Sequence, residues 1–246
     1  MKLFLDSANL NEINEALSWG AIDGITTNPS LVAKENADFV SLIRQICECV
    51  NGPVSAETIS RDAAGMEREG RLLATIHPNV IVKCPLTKDG LQATRRLSGD
   101  GIRVNVTLCF SAMQAMLAAK AGAYFISPFV GRLDDLSQDG MQLIRDIKTI
   151  YQNYGFSTQI LVASVRSPMH VLDAACIGAD IATIPFSVLD TLVKHPLTDS
   201  GLERFLRDWE KLPPEAKQIR GASGEAQGKR DTTPLEPVAQ AGRGRP

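Results

Sequence analysis

Short runs of apolar, mostly β-branched residues recur along the chain, and between them apolar residues are spaced three or four positions apart. The runs are typical of buried β-strands, and the wider spacing is typical of helices with one buried face. The runs occupy residues 3–5, 22–26, 54–58, 80–84, 103–108, 124–128, 159–164 and 180–185. The pattern therefore predicts eight strands, each followed by a helical segment.

The predicted helices have both buried faces and recognisable ends. Apolar positions at helical spacing include Phe39, Leu42, Ile43, Ile46 and Val50, and later Met141, Ile144, Ile147, Ile150 and Tyr151. The pair Ser167-Pro168 is typical of a helix start, because serine caps free amide groups and proline fits the first helical position. Glycines suited to the left-handed backbone of a helix end follow four predicted helices: Gly20, Gly101, Gly122 and Gly178.

Alternation of strands and helices predicts parallel strands joined by crossover helices. Eight such units in a chain of 246 residues predict a single (β/α)8 barrel rather than an open doubly wound sheet. The dinucleotide-binding alternative is weakened because no GxGxxG motif follows the first predicted strand.

The chain continues beyond the eighth unit with one more helical pattern. Leu202, Phe205, Leu206 and Trp209 form an apolar stripe, which would pack either on its own barrel or on a neighbouring subunit. We therefore assign residues 1–212 to a barrel domain that includes this additional C-terminal helix. Apolar content falls from Pro213 onward, so residues 213–246 are predicted to form a disordered tail.

Composition excludes several classes of protein. The formal net charge is −2, which indicates neither a nucleic-acid nor an anionic-membrane partner. No apolar stretch is long enough to span a bilayer, and no secretory signal is apparent. The five cysteines include no CxxC pair, which favours a reduced, cytoplasmic protein. The three histidines are far apart in the sequence, and we predict no metal site.

A lysine near the end of the fourth strand is the most informative single residue. Lys83 lies in the apolar segment VIVKCPL, residues 80–86, and shares a strand face with Ile81. Burial of an ammonium group is costly and favours loss of its proton. A neutral amine in such a pocket is a nucleophile for carbonyl carbons. The alternative is that only the aliphatic stem is buried and the charged end reaches water.

Polar residues stand at the ends of most of the other predicted strands. In a (β/α)8 barrel these carboxyl-terminal ends form the face that carries chemistry. Single residues have simpler explanations, because Asp6 could cap a helix and Asn28 could shape a turn. The strand ends contribute Asp6, Asn28, Glu57, Lys83, Asn105, Thr107, Ser127, Arg132, Ser164 and Arg166.

These residue types suit one kind of chemistry. An amine at Lys83 would form a Schiff base with a ketone, which weakens the bond between the α and β carbons. Asp6 or Glu57 would remove the β-hydroxyl proton of a sugar ketose. Arg132 and Arg166 would bind a phosphate group, because arginine donates to phosphate bidentately, and Ser164 would add a hydroxyl donor. Each arginine could instead form only a surface ion pair.

Five segments together resemble the transaldolase family, in particular its small-subunit type, which includes the fructose-6-phosphate aldolases. They are LDSA (residues 5–8), GITTNPS (24–30), VKCP (82–85), NVT (105–107) and ISPFVGR (126–132). The resemblance extends over about residues 1–212. It implies a Schiff base on Lys83, with Asp6 handling the hydroxyl proton and Glu57 and Thr107 holding a catalytic water.

The resemblance also implies roles at the substrate. Asn28, Asn105 and Ser127 would orient a dihydroxyacetone unit, and Arg132, Ser164 and Arg166 would bind phosphate. It implies sugar-phosphate substrates, neither a metal nor an organic cofactor, and a homo-oligomer, because the family's short members form pentamers or decamers with the last helix on a neighbour.

Two positions separate the branches of this family. Transaldolases carry Glu and Phe where the aldolase branch typically has Gln and Tyr, and this chain has Glu57 and Phe129. The resemblance therefore implies transfer of dihydroxyacetone from sedoheptulose 7-phosphate to glyceraldehyde 3-phosphate. The alternatives are cleavage of fructose 6-phosphate without an acceptor, and a non-catalytic barrel that only binds sugar phosphates.

Overall fold

A computed structural model describes residues 1–217 of the chain. Eight parallel strands pair in sequence order, and the eighth pairs with the first to close a barrel. The strands are β1 (Lys2–Asp6), β2 (Gly24–Thr26), β3 (Val54–Glu57), β4 (Val80–Pro85), β5 (Val104–Cys109), β6 (Phe125–Pro128), β7 (Gln159–Val162) and β8 (Ile181–Ile184). The predicted (β/α)8 barrel is confirmed, and every strand end lies within two residues of the prediction.

Helices surround the barrel and follow every strand. Those of the barrel are α1 (Leu10–Ser18), α2 (Pro29–Lys34), α3 (Phe39–Cys49), α4 (Ala63–Ala74), α5 (Lys88–Gly99), α6 (Ala112–Ala121), α7 (Val130–Asp134), α8 (Gly140–Tyr154), α9 (Pro168–Ile177) and α10 (Phe186–Leu192). Ser167 caps α9 by accepting from the amide of His170, as predicted. Gly122 and Gly178 end α6 and α9 with φ of 93° and 82°, in the left-handed region.

Alternate strand residues face either the helices or the barrel axis. Side chains such as Val82, Val106 and Ile126 belong to the large core between the sheet and the helices. A second cluster, composed of strand residues and of Ala163 directly after β7, fills the barrel interior: Phe4, Ile81, Phe125, Leu161, Ala163 and Ile181. Because Lys83 is two residues beyond Ile81 on β4, it faces the same interior, one layer closer to the carboxyl-terminal mouth.

Strand β5 contains an irregularity next to the site. Its pairing with β6 shifts register between Val106 and Cys109, and Leu108 between them has φ of 58°. A bulge of this kind places one extra residue in the strand and turns a side chain. Here Cys109 still packs on the helix side, while Thr107 and Leu108 both line a cavity at the barrel mouth.

The chain divides into two units between Lys194 and His195. The first is the barrel, and the described part of the second contains α11 (Pro196–Glu210) and a 3-10 turn, Pro214–Ala216. The predicted apolar stripe lies on α11, and all four of its side chains are exposed. The packing of this helix on a neighbouring subunit stays a prediction. Most of the predicted disordered tail, residues 218–246, lies outside the described residues.

Candidate active site

The amine of Lys83 lies at the bottom of the barrel mouth. The residue is 5% exposed, so its side chain does not reach bulk water as a snorkelling lysine would. Its Nζ lies 3.0 Å from Glu57 Oε2 and donates to the carbonyl oxygen of Thr27 at 3.1 Å. Glu57 is the register partner of Lys83 on β3, which explains why the two side chains meet.

A second carboxylate, Asp6, lies at the end of β1. Burial raises the pKa of this carboxyl, while the Thr26 hydroxyl and the positive charge of Lys83 act in the opposite direction. Thr26 Oγ1 donates to Asp6 Oδ1 at 2.7 Å and lies 2.6 Å from Thr183 Oγ1. A hydroxyl has one proton, so Thr183 donates to Thr26 when Thr26 donates to Asp6. This arrangement fixes the carboxylate and suits it to exchange protons.

Two cavities meet at Lys83. The first, of about 220 Å³, brings together eight predicted residues with Thr26, Ala163 and Thr183; the eight are Asp6, Asn28, Lys83, Ser127, Phe129, Arg132, Ser164 and Arg166. The second, of about 350 Å³, contains Glu57 and Thr107 and shares Asn28, Lys83, Phe129 and Arg132 with the first. The amine therefore borders both cavities, and each cavity contains one of the two carboxylates.

The hydroxyl of Thr107 stands out in the second cavity. It is buried, and no hydrogen-bond partner for it exists among residues 1–217. An unsatisfied buried hydroxyl has a cost in free energy that a bound water or ligand group removes. Its position beside Glu57 and Lys83 therefore marks a place where a small polar molecule is expected to bind.

The three predicted dihydroxyacetone-binding residues lie at different depths. Asn28 lines both cavities, and its Oδ1 also accepts from the amide of Leu31 at the start of α2. Ser127 lines the first cavity and donates to Asn105 Oδ1 at 2.8 Å. Asn105 itself is fully buried, donates to Ser55 Oγ at 3.2 Å and lines neither cavity.

Arg132 lies in the short helix α7 and over the ring of Phe129. Its guanidinium carbon is 5.3 Å from the ring centroid, a distance typical of a cation–π contact. Phe129 in turn packs edge-on against Phe110, with centroids 5.8 Å apart. Among the described residues, Arg132 has no carboxylate partner within salt-bridge distance. Its charge is therefore available to an anion in either cavity.

Ser164 and Arg166, which follow β7, line the first cavity. The amide of Gly131 in α7 donates to Ser164 O at 3.1 Å. A Cβ at position 131 would stand 2.3 Å from that oxygen and 2.7 Å from Arg166 Cγ. Only glycine permits this approach, and the segment ISPFVGR requires it for that reason. Arg166 forms a bidentate pair with Asp135.

Three residues important to the site were not predicted from the sequence. Thr26 and Thr183 orient Asp6, and Asp135 pairs with Arg166. Thr183 is the polar residue in the otherwise apolar segment Ile181–Ile184, and this contrast could have identified it from the sequence. Asp135 offered no such signal, because its role depends on where a five-residue helix directs it.

The fold and the cavities define the chain as a (β/α)8 barrel protein whose candidate functional site surrounds a buried lysine, at the face where barrel enzymes carry their active sites. Residues 3–216 match the family described as Transaldolase/Fructose-6-phosphate aldolase. The chain belongs to this family, which confirms the resemblance.

Curated relatives agree with this membership. The chain is 61% identical over 213 residues to "Probable transaldolase" of Aquifex aeolicus, covering 87% of this chain and 98% of the relative. It is 60% identical to the protein of that name from Thermodesulfovibrio yellowstonii, over 86% of this chain and 99% of the relative. The protein of that name from Geobacter metallireducens is 61% identical, over 87% of this chain and 100% of the relative.

No helix in the described part of the chain is both long and apolar enough to cross a membrane. Within residues 1–217, no group of three or more His, Cys, Asp or Glu side chains is placed to hold a metal ion.

Proposed function

We propose that the protein is a transaldolase that moves a dihydroxyacetone unit between sugar phosphates through a Schiff base on Lys83. The observation that carries this proposal is the buried Nζ, which lies 3.0 Å from a carboxylate and borders both cavities of the barrel mouth. Family membership supports the same chemistry, because the family comprises transaldolases and fructose-6-phosphate aldolases.

The reaction begins with attack of the amine on the C2 carbonyl of sedoheptulose 7-phosphate. A proton on Lys83 can pass to Glu57 Oε2, and the neutral amine forms a carbinolamine that loses water to give an iminium. The unpartnered hydroxyl of Thr107, beside Glu57, supports a role for both residues in holding the water that exchanges protons in this step.

Cleavage requires a base at the C4 hydroxyl. Asp6 takes that proton, the C3–C4 bond breaks, and erythrose 4-phosphate leaves, while the electron pair is delocalised onto the nitrogen of Lys83 as an enamine. The raised pKa of Asp6 suits this step, because the same carboxyl must later return the proton to the new alkoxide. Attack on glyceraldehyde 3-phosphate and hydrolysis release fructose 6-phosphate.

The substrate is held by groups along the first cavity. Asn28 and Ser127 line the space around Lys83 and can bond to the hydroxyls of the dihydroxyacetone unit. Asn105 supports this role through its bond to Ser127. Arg132, Ser164 and Arg166 lie together where they can bind the terminal phosphate.

Borohydride reduction tests the Schiff base directly. Incubation with fructose 6-phosphate followed by borohydride should fix the dihydroxyacetone unit as a secondary amine on Lys83, because reduction removes the hydrolysable C=N bond. Mass spectrometry of the peptide that contains residues 80–86 locates the adduct. A protein that binds sugar phosphates but yields no adduct on this peptide would be a non-catalytic barrel.

Phe129 is expected to favour transfer over cleavage. It lines both cavities next to Lys83 and cannot donate a proton, so the carbanion is held until an aldehyde arrives. Phe129→Tyr adds a hydroxyl that can help protonate the carbanion, and should raise release of free dihydroxyacetone from fructose 6-phosphate by roughly 10²-fold, the lower end of the usual range for a general acid. A coupled assay for glyceraldehyde 3-phosphate without an acceptor measures it.

Phe129→Leu serves as the matched control, because it alters the packing at this position without supplying a proton donor. Acceptor-independent cleavage should stay low in this variant. If Phe129→Tyr shows no gain over wild type, the proton donor at this position does not decide between transfer and release.

A further inference from the structure

Two adjacent carboxylates at the end of α7 reach across to the segment between β7 and α9. Arg166 Nη1 donates to Asp135 Oδ1 at 2.9 Å, and Nη2 donates to Asp135 Oδ2 at 2.6 Å. Asp134 Oδ2 lies 3.0 Å from Nε2 of His170, in the first turn of α9. Helix α7 also contains Arg132, so these contacts join the two segments that line the cavity with arginines.

The Arg166–Asp135 pair uses only one edge of the guanidinium. Each terminal nitrogen gives one N–H to a different carboxylate oxygen, and the remaining three of the five N–H groups of an arginine stay available. The stem of Arg166 passes close to Gly131, where a Cβ would stand 2.7 Å from its Cγ and 2.8 Å from its Nε. The stem is therefore confined by backbone and the head by Asp135.

The backbone of Arg166 is held as well. Its amide donates to Nδ1 of His170 at 3.3 Å. The histidine thus accepts at Nδ1, which assigns the proton to Nε2, from where it is donated to Asp134. The imidazole therefore links the Arg166 amide to α7.

The two arginines of the cavity are held by different means. Arg132 is stacked on Phe129, whereas the orientation of Arg166 depends on Asp135. Both members of the ion pair are about half exposed, at 51% and 52%, so the pair adds little to the stability of the fold. The same exposure lets solvent screen the repulsion between Asp135 and a phosphate bound at the other edge.

We propose that Asp135 is a positioning residue for substrate phosphate: it holds one edge of the Arg166 guanidinium so that the free N–H groups are presented to the cavity before substrate arrives. This inference rests on the proposed function, since it assigns the cavity a phosphorylated sugar. Asp135 could instead compete with phosphate for Arg166. Removal of its charge would then strengthen phosphate binding, whereas a positioning role predicts weaker binding.

Asp135→Asn tests the proposal. It keeps the size of the side chain but removes the charge and one of the two acceptors, so Arg166 becomes free to adopt other rotamers. The expected result is a KM for fructose 6-phosphate, with erythrose 4-phosphate as acceptor, that rises roughly three- to tenfold, which is the typical effect of leaving one long side chain to be ordered on binding. The kcat should stay within about twofold, since bound phosphate itself orders the guanidinium.

Further measurements separate a positioning role from a merely structural one. With unphosphorylated fructose as donor, kcat/KM should not change, and Asp135→Glu should restore part of the affinity for the phosphorylated donor. Asp100→Asn is the matched control, because it breaks a surface ion pair of similar exposure with Arg71 and lines neither cavity. This variant should match wild type with both donors.

The outcomes are distinct. An unchanged or lowered KM in Asp135→Asn, or equal losses with phosphorylated and unphosphorylated donors, overturns the inference. Calorimetric titration with inorganic phosphate gives an answer that does not depend on turnover: affinity should fall by the same factor in Asp135→Asn, and equal or tighter binding overturns the positioning role. Borohydride trapping of dihydroxyacetone on Lys83 needs no phosphate, so a wild-type protein without an adduct refutes the proposed function alone.

Discussion

Lys83→Met should abolish turnover of sugar-phosphate substrates. Methionine has nearly the same length but no nucleophile, so neither the carbinolamine nor the iminium can form. We expect kcat to fall by at least ~10⁴-fold, the order of loss seen when a catalytic nucleophile is removed. Steady-state assays of fructose 6-phosphate with erythrose 4-phosphate measure the loss, and the borohydride adduct should disappear with it.

The ion pair between Lys83 and Glu57 means that this variant needs controls for stability. Without the amine, Glu57 loses the cation that lies 3.0 Å from its carboxylate, so the single variant should lose stability. The double variant Lys83→Met/Glu57→Gln removes the unpaired charge and should recover thermal stability without activity. Lys88→Met, at an exposed lysine five residues away, should behave as wild type. Turnover by Lys83→Met within about a hundredfold of wild type would refute the Schiff base, given the size of the loss expected.

Asp6→Asn is expected to have the second-largest effect, with opposite consequences for activity and stability. Loss of the base at the C4 hydroxyl should lower kcat by ~10²–10⁴-fold. Thermal stability should rise, because burial raises the pKa of this carboxyl and the charged form is therefore disfavoured in the folded state. Calorimetry and rate measurements on the same preparation test both parts.

The raised pKa of Asp6 also determines how the stability of the fold depends on pH. The folded protein binds the Asp6 proton more tightly than the unfolded chain, so its contribution to stability is complete below the unfolded pKa and is lost as pH rises through the folded pKa. Asp6→Asn should therefore gain stability over wild type mainly at neutral pH.

Thr26→Val removes a hydrogen bond that lowers the pKa of Asp6, and should move the acid limb of kcat/KM to higher pH. A variant Asp6→Asn with unchanged kcat would exclude Asp6 as the base.

Much of the fold was predictable because its main signal repeats. The strands bury both faces and most of the barrel helices bury one, so apolar runs and helical spacing alternate eight times. The two-residue period of a strand was enough to predict that Lys83 and Ile81 share a face, and the structure shows that this face points into the barrel. Polar residues at strand ends then identified most of the residues that line the cavities.

The remaining features depend on distances that no local pattern records. Alternation places Asn105 on the inner face of β5 but does not say how deep it lies, and it is buried below Ser127 rather than at a cavity wall. The left-handed backbone of Leu108 arises from the register shift in β5, and leucine gives no sign of it. The pairing of Asp135 with Arg166 joins positions 31 residues apart whose approach is set by tertiary structure.

Lys83 and both arginines line the first cavity. This arrangement has a consequence for the kinetics of the reaction. Any phosphorylated sugar that reaches Lys83 in the first cavity meets the same pair, Arg132 and Arg166. The departing aldose phosphate must therefore vacate this pair before the incoming aldose phosphate can use it. Under the proposed function, such a site would enforce a ping-pong order, in which the modified enzyme waits between two half-reactions and the two aldoses compete for one place.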